Sequence, residues 1–356
     1  MTTHAGAIDP KEAKPSTRRR RAAVMSDVGR LAGVSHQTVS RVINGSRHVA
    51  PDTRQRVLDA MRVLDYRPNS VARALVTGRS NTLGVVTFDT TLYGPATTLY
   101  GIERAAHQAG YFIIVASLKA LDRTSVIEAV DRLRLHAVDG ILAIAPEKDA
   151  ADALRSVPTE VPLVAVEAGP ARGVPVVTID QVAGAQTATR HLLELGHRTV
   201  WHVGGPRGWI EARQRLDGWR KTLKAAGVEV PEPLVGDWSA HAGYELGRRL
   251  SANRKVTAIF VANDQMALGV LRAMNEAGRE IPRELSIVGF DDIPEAAYFS
   301  PPLTTVRQDF DEMGTRSVRL LLTTMAEGRR QRAGAAVRPE LIVRSSTAAA
   351  PRRRRG

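Results

Sequence analysis

Beyond residue 81, apolar runs of strand length alternate with helical stretches, and this alternation constrains the fold more than any other feature. It is typical of parallel sheets covered by helices on both faces. The runs predicted as strands are 83–88, 112–116, 140–145, 163–166, 176–179, 199–203, 258–262 and 286–290. Helical patterns between them include 100–109, 183–195, 213–226, 265–277 and 312–325. Because roughly 270 residues exceed one doubly wound domain, we expect an α/β body of two doubly wound lobes with a cleft between them.

The segment before residue 81 has a different pattern. Residues 1–23 are polar and lack periodicity, which predicts a disordered basic tail. Residues 24–67 carry three short helical patterns, which predict a small all-α head. A linker at 68–80 holds a fourth short helical pattern. We expect the body to span 81–345 and a second disordered basic tail to span 346–356.

The first two helices of the head have the spacing of a helix-turn-helix motif. Leu31, Val34, Val39 and Val42 are spaced to meet in a small core. Gly33 allows the tight turn between the helices, which needs a backbone conformation that most residues resist. The pattern therefore predicts a small helix-turn-helix unit.

The second helix, which Ser35 can cap, turns His36, Gln37, Ser40 and Arg41 outward. Gln can pair with the two edge groups of adenine, and Arg with the two acceptors of guanine. These side chains are therefore candidates for reading base edges. The alternative is a helical hairpin whose polar face is simply solvated.

The basic charge is localised. Of the 50 Lys and Arg residues, 15 lie in residues 1–80, against 6 Asp and Glu, and four lie in the last six residues. The remaining 31 are matched by 31 Asp and Glu in residues 81–350. A basic head on a neutral body is typical of a protein that binds the phosphate backbone of nucleic acid.

Several classes of protein are disfavoured. The absence of cysteine excludes a disulfide framework, a thiolate zinc site and a cysteine nucleophile, and it is compatible with a reducing compartment. No apolar stretch suggests a signal peptide or a membrane span. No Gly-x-Gly-x-x-Gly motif follows a first strand, and no nucleophile has a base partner. We therefore expect a cytoplasmic protein that is not an enzyme and has neither cofactor nor metal. The rival classes are a secreted sugar receptor and a nicotinamide- or sugar-active enzyme.

The sequence resembles the LacI/GalR family of transcriptional regulators over residues 24–345. In the head the matching runs are Leu31–Ser35, Thr38–Val42, Asn44–Gly45, Arg67–Asn69 and Ala72–Leu75. In the body they are Val261–Gly269, Val288–Asp292 and Pro301–Val306. The resemblance implies a repressor that a sugar releases from a pseudo-palindromic operator. An activator, or a regulator that needs a corepressor, is the alternative within the family.

For the head, the resemblance implies a role for each of several residues. His36, Gln37 and Arg41 would read base edges in the major groove with His48 beside them, while Ser35, Thr38 and Asn44 would hold phosphates. Residues 70–76 would form a hinge helix that orders on the operator and inserts Leu75 between base pairs in the minor groove. The alternative for Leu75 is an ordinary core leucine.

For the body, the resemblance implies a fold like that of periplasmic sugar-binding proteins. The first lobe would comprise residues 81–180 and 310–345, and the second residues 181–309. The implied effector-binding residues are Glu167, Arg215, Trp238, Asn263, Asp291 and Phe310, with the segment Leu92–Pro95 completing the floor and Trp209 as a further stacking candidate.

Elementary chemistry agrees with a sugar site. A sugar receptor needs planar donors, carboxylate acceptors and an aromatic face. Asn263 and Asp291 follow apolar strands, where open α/β sheets bind ligands. Structural alternatives remain: a salt bridge between Arg215 and Asp291, and plain core packing for Trp238. Asp291 and Asp292 cannot form a glycosidase pair, because adjacent strand residues point to opposite faces.

We expect a homodimer with a small sugar effector and double-stranded operator DNA as partners. Twofold symmetry of the protein would be mirrored in the operator. The sequence after residue 345 lacks the leucine heptads that would join dimers into a tetramer.

Overall fold

The computed structural model describes residues 23–46, 48–67, 78–118, 120, 122–154, 161–168, 174–327 and 336–351. The chain divides into two compact units, residues 1–78 and residues 79–356. The tail before residue 23, the hinge helix predicted at 70–76 with its Leu75, and the final residues 352–356 lie outside the described residues.

The first unit contains three helices, α1 (Met25–Ala32), α2 (His36–Ile43) and α3 (Pro51–Val63). Its core consists of Val28, Ala32, Val39, Val42, Val57 and Ala60. The expectation that Leu31 belongs to this core is wrong, because its side chain is 53% exposed. Val28, Gly29 and Ala32 form the buried stripe of α1, and Leu31 falls to one side of it.

The turn between α1 and α2 has the local chemistry that the sequence predicts. Gly33 has a φ of 66°, in the left-handed region that favours glycine. Ser35 then caps α2, since its hydroxyl oxygen accepts a hydrogen bond from the backbone N–H of Thr38 at 3.2 Å. The turn between α1 and α2 therefore depends on one glycine and one N-cap.

The first lobe of the body is built on a five-stranded parallel sheet of order β2-β1-β3-β4-β5. The strands are β1 (Thr82–Thr87), β2 (Phe112–Ser117), β3 (Gly140–Ile144), β4 (Leu163–Val166) and β5 (Val176–Val177). The helices are α4 (Tyr93–Gln108), α5 (Arg123–Leu135) and α6 (Lys148–Leu154). β3 and β4 are buried along their whole length, as expected when helices cover both faces.

The second lobe is built on a six-stranded sheet of order β11-β10-β9-β8-β6-β7. The strands are β6 (Trp201–Gly204), β7 (Leu234–Val235), β8 (Ala258–Val261), β9 (Ser286–Asp291), β10 (Thr304–Arg307) and β11 (Glu340–Ile342). The helices are α7 (Gln181–Glu194), α8 (Ile210–Ala225), α9 (Ala240–Ser251) and α10 (Asp264–Glu276), with a 3₁₀ turn at Pro294–Tyr298. All neighbouring strands are parallel except β10 and β11. Two α/β lobes are thus confirmed.

The chain crosses between the lobes after β5, after β10 and after α11 (Phe310–Glu327). As expected, α11 packs on the first lobe, against α4, β3 and β4. The assignment of everything up to residue 345 to that lobe is wrong, because β11 pairs with β10 in the second sheet. This antiparallel pairing covers the β10 edge, whose backbone groups would otherwise lack partners.

The expectation of a disordered tail from residue 346 is wrong for residues 346–351. Ser346 is fully buried, its hydroxyl donates to the Ile287 carbonyl at 2.6 Å, and it accepts from the Thr304 N–H at 2.8 Å. The Ala350 N–H donates to the Leu195 carbonyl at 2.8 Å. These bonds attach the segment to the second lobe.

Within the described ranges, no helix has both the length and the apolar composition needed to cross a membrane.

Candidate functional site

The outer face of α2 carries the side chains expected to read bases. His36, Gln37 and Arg41 are all exposed, while Val39 and Val42 on the opposite face are buried. The side chain of Arg41 makes no hydrogen bond or ion pair with the described part of the chain. Its guanidinium is therefore available to a partner outside the fold. His48 is also exposed, in the loop that precedes α3.

The residues expected to hold phosphates also serve the ends of α2. The Ser35 and Thr38 hydroxyls are 3.1 Å apart at its N-terminus. Asn44 is exposed at the C-terminus, where its amide donates to the Ser40 hydroxyl at 3.4 Å. A helix N-terminus with polar hydroxyls favours anions.

In the body, a cavity of about 260 Å³ lies between the two lobes. The first lobe contributes Thr91, Leu92, Tyr93, Gly94, Pro95 and Glu167 to its lining. The second lobe contributes Trp209, Glu211, Arg215, Trp238, Ser239, Ala240, Asn263, Gln265 and Asp291, and the crossover after β10 contributes Gln308. Five of the six expected effector-binding residues thus lie together, along with Trp209 and the segment Leu92–Pro95.

Arg215 and Asp291 form the buried ionic centre of the cavity wall. Arg215 Nη1 lies 3.5 Å from Asp291 Oδ1 and also donates to the Ala262 carbonyl. The guanidinium lies over the Phe290 ring, 3.9 Å from its centre, in a cation–π contact. Burial raises the pKa of Asp291 to about 6, against the opposing effects of Arg215 and a hydrogen bond from Gln308. The salt bridge expected as an alternative is therefore present within the cavity wall itself.

Both residues are also bound to glutamines at the crossovers. Arg215 Nε donates to Gln181 Oε1 at 2.9 Å, and Gln181 Nε2 donates to Gln308 Oε1 at 2.7 Å. Gln308 Nε2 in turn donates to Asp291 Oδ1 at 2.7 Å. We call this closed set of four residues the crossover ring. Its two glutamines were missed at the level of sequence, because nothing in the local pattern marks a buried polar residue between elements.

Trp238 forms an aromatic wall, and two neighbours fix its position. Its backbone has a φ of 76°, a strained value for a bulky residue, and its carbonyl accepts from Asn263 Nδ2 at 3.0 Å. Its ring packs so closely on Gly205 that a Cβ there would overlap it. The ring lies 5.6 Å from that of Trp209, in an edge-to-face arrangement. Trp238 and Trp209 therefore present a joint aromatic surface to a ligand.

Asn263 serves the fold as well as the cavity. Its Oδ1 accepts from the Met266 N–H at 3.0 Å, which caps α10, and its Nδ2 donates to Trp238 and to Gln265 Oε1. Its amide therefore helps to hold Trp238 in place, and its contact with an effector stays a prediction.

Glu167 and Glu211 face each other across the cavity wall. They are 5% and 7% exposed, respectively. Burial raises the pKa of Glu167 to about 7 and raises that of Glu211 well above its usual range, the latter further raised by the neighbouring Glu167. Sequence reasoning missed Glu211. Its spacing of four residues from Arg215 on one helix was the available signal, since such residues share a face.

Phe310 and Asp292 both lie outside the lining of the cavity. Phe310 is buried and packs edge-to-face on Tyr93 at 5.9 Å, outside the lining, so its expected contact with a ligand stays a prediction. It supports the floor from behind, because α11 begins with this residue on the far side of Tyr93. Asp292 points away from Asp291 and pairs with Arg307 and Arg344, each at 2.6 Å. The two adjacent carboxylates therefore do not form a catalytic pair.

Comparison with known proteins gives matches to both units. Residues 24–69 match the model for bacterial regulatory proteins of the lacI family, and residues 189–347 match the periplasmic binding protein-like domain. The HTH-type transcriptional repressor PurR of Haemophilus influenzae is 35% identical over 334 residues, which cover 91% of this chain and 98% of that protein.

Solved structures match over both units as well. The Lac repressor dimer bound to operator and the anti-inducer ONPF is 34% identical with a TM-score of 0.83, covering 92% of this chain and 100% of that one. The complex of the transcriptional regulator CelR with cellobiose is 31% identical with a TM-score of 0.68, covering 91% of this chain and 99% of that one.

Proposed function

Since this chain belongs to the lacI family of bacterial regulatory proteins and is a DNA-binding transcriptional repressor, we propose that a sugar bound in its cavity controls its affinity for operator DNA. The observation that carries the proposal is the crossover ring. It joins the ion pair of the cavity wall, Arg215 and Asp291, to glutamines at two of the crossovers between the lobes.

The cavity lining supports a sugar as the effector class. Arg215 and the carboxylates can donate to and accept from ring hydroxyls, and the two tryptophans can stack on the C–H face of a pyranose. The similar regulator CelR was solved with cellobiose, which is a sugar of this kind. These observations favour a mono- or disaccharide effector.

The crossover ring supports a route from the effector to the lobes. A sugar hydroxyl that competes for Asp291 Oδ1 weakens its bond with Gln308, and a contact with Arg215 weakens its bond with Gln181. Gln181 opens α7 in the second lobe, and Gln308 precedes α11, which packs on the first lobe. The effector thereby changes the relative stability of two lobe arrangements, which is how a ligand shifts a population.

For the head, we propose that α2 lies in the major groove. His36, Gln37 and Arg41 would contact base edges, with His48 beside them, and the hydroxyls at the helix N-terminus would contact phosphates. The exposure of these side chains and the basic charge of residues 1–80 support this role. The proposed intercalation of Leu75 depends on the family resemblance alone.

We further propose that the repressor acts as a homodimer in the cytoplasm, without catalytic activity. The similar Lac repressor was solved as a dimer on its operator. Exposed apolar side chains on α4 and β2, among them Tyr100, Phe112 and Val115, support an interface between two copies on the first lobe. Two heads related by a twofold axis would match a pseudo-palindromic operator.

A fluorescence-anisotropy titration of the full-length protein on fragments of its own promoter, with a panel of neutral and amino sugars, tests the proposal. We expect operator affinity to fall when one of the sugars is added at saturation. A sugar that raises the affinity would instead establish corepressor logic. If no sugar changes the affinity for any fragment, the proposed sensing function is refuted.

A further inference from the structure

The cavity between the lobes is lined by more acidic than basic side chains. Glu167, Glu211 and Asp291 are at most 7% exposed, and Arg215 is the only basic residue among the described residues that line the cavity. Arg215 is already engaged by Asp291 and by the crossover ring. The pair formed by Glu167 and Glu211 therefore lacks a cation of its own, and because an unpaired buried charge is costly, burial raises the pKa of both carboxyls so that the pair retains a proton.

Two buried polar atoms at this wall lack a partner within the described residues. They are Glu211 Oε1 and Trp238 Nε1. Buried polar atoms in folded proteins are almost always hydrogen-bonded, so atoms without a partner beside a cavity indicate what the missing ligand supplies. Glu211 Oε1 needs a donor when this carboxyl is ionised, and Trp238 Nε1 needs an acceptor such as a hydroxyl oxygen.

A neutral sugar can supply an acceptor for Trp238 Nε1, but it satisfies Glu211 only in part. A hydroxyl donates one hydrogen but brings no positive charge, so it does not allow both glutamates to ionise. A protonated amine donates three hydrogens and brings the missing positive charge. The Trp238 ring adds to this preference, because the faces of tryptophan rings attract cations.

We propose that the effector is an amino sugar whose protonated amine binds between Glu167 and Glu211. This inference rests on the proposed sugar-sensing function and specifies the ligand class of the same cavity. The hydroxyls of the sugar satisfy Trp238 and the centre formed by Arg215 and Asp291, and the ammonium group satisfies the glutamate pair.

Amine binding also releases a proton. Without ligand, burial keeps the pKa of Glu167 near 7 and that of Glu211 above its usual range, so the pair retains a proton near neutral pH. The facing charged groups are Arg215 and Asp291, which lie 3.5 Å apart as an ion pair. An ammonium group placed between the glutamates favours their ionised forms, so the retained proton leaves as the ligand binds.

Calorimetry on the full-length protein tests the inference with matched ligands. The panel contains glucose, galactose and mannose, the 2-amino and 2-acetamido derivatives of each, and cellobiose as a neutral disaccharide. We expect one 2-amino sugar to bind at least about tenfold more tightly than its neutral and acetylated counterparts, because hydrogen bonds between charged groups are about twice as strong as neutral ones. Repeating the titration at pH 7 in buffers of different ionisation enthalpy should show proton release for that ligand alone.

Variants assign the preference to the glutamate pair. Both Glu211→Gln and Glu167→Gln should reduce the preference for the amine over the neutral sugar to less than about threefold. Glu229→Gln is the matched control, since it makes the same chemical change at an exposed position. The wild-type comparison of amino and acetamido sugars needs no variant, so misfolding of one variant leaves the test intact.

The outcomes separate the inference from the proposed function. A neutral sugar that binds as tightly as its amine, or variants at both glutamates that keep the amine preference, would overturn the inference while sugar sensing stands. If no sugar in the panel binds, the proposed sugar-sensing function itself fails.

Discussion

Substitution of Gly205 by alanine should displace the aromatic wall of the cavity. A Cβ at this position would lie within 2.6 Å of three carbon atoms of the Trp238 ring. Ordinary van der Waals contact begins at 3.4 Å, so the ring must retreat by about 1 Å. It cannot retreat freely, because Trp209 and Arg215 pack on it and Asn263 holds its backbone.

The expected cost follows from overpacking. Extra methyl groups in a tightly packed site typically cost about 1–3 kcal/mol. If the ring moves into the cavity, this cost appears as weaker effector binding, and the effector affinity should fall by roughly 5- to 150-fold. If the ring is held in place, the cost appears as a lower melting temperature. Calorimetric titration with the effector measures the loss of affinity, and a thermal melt of the same sample measures the loss of stability.

A double-mutant cycle identifies the cause. In a Trp238→Leu background the large ring is absent, so Gly205→Ala should cause little further loss of affinity or stability. The reasoning would be refuted if Gly205→Ala alone left both effector affinity and melting temperature unchanged. It would also be refuted if the loss persisted at full size in the Trp238→Leu background.

Three further predictions concern the head, the crossover ring and the glutamate pair. Arg41→Ala should cost about 1–3 kcal/mol of preference for operator over bulk DNA, whereas Arg62→Ala on α3 should leave that preference unchanged; competition binding at fixed salt distinguishes them. Gln308→Leu should reduce the ratio of operator affinities without and with effector, and an unchanged ratio would exclude the ring as the route. The raised pKa values of Glu167 and Glu211 mean that the folded state retains a proton that the unfolded chain has lost. The free energy of unfolding should therefore fall as pH rises through about 7. Glu211→Gln should flatten that fall between pH 6 and pH 8, and an equally steep fall in this variant would contradict the assignment.

Periodicity predicts the fold well where burial is continuous. All eight apolar runs chosen from the sequence contain strands. β3, β4, β8 and β9 are buried at every position, because a strand covered on both faces needs apolar residues throughout, whereas β2 is an edge strand with several exposed residues. β7, β10 and β11 were not predicted. β7 and β11 are edge strands with no buried residue, so neither leaves an apolar pattern in the sequence. The pairing of β11 with β10 joins distant parts of the chain, and no local pattern reports such a partner.

The site was predicted in part for similar reasons. Arg215, Asp291 and Trp238 stand at positions that the family resemblance marks, and the structure brings them together in one cavity. Phe310 shows the limit of transfer by position, since its ring packs on Tyr93 outside the lining of the cavity. Glu211 was missed because a glutamate on an amphipathic helix is expected on the solvent-exposed face unless the buried face is known.

The crossover ring sets a condition on how an effector can act. Arg215, Gln181, Gln308 and Asp291 are all buried and mutually bonded, so the ring is closed without a ligand. An effector that uses only Asp291 Oδ2 leaves every bond of the ring intact and can bind tightly without favouring either lobe arrangement. An effector that takes Asp291 Oδ1 from Gln308 leaves a buried amide without its partner, which costs about 1–3 kcal/mol unless the lobes move to provide another. That range matches the coupling free energies of known allosteric proteins. Tight binding and release of DNA therefore depend on different atoms of the same carboxylate, and a ligand selected for affinity alone need not be an inducer.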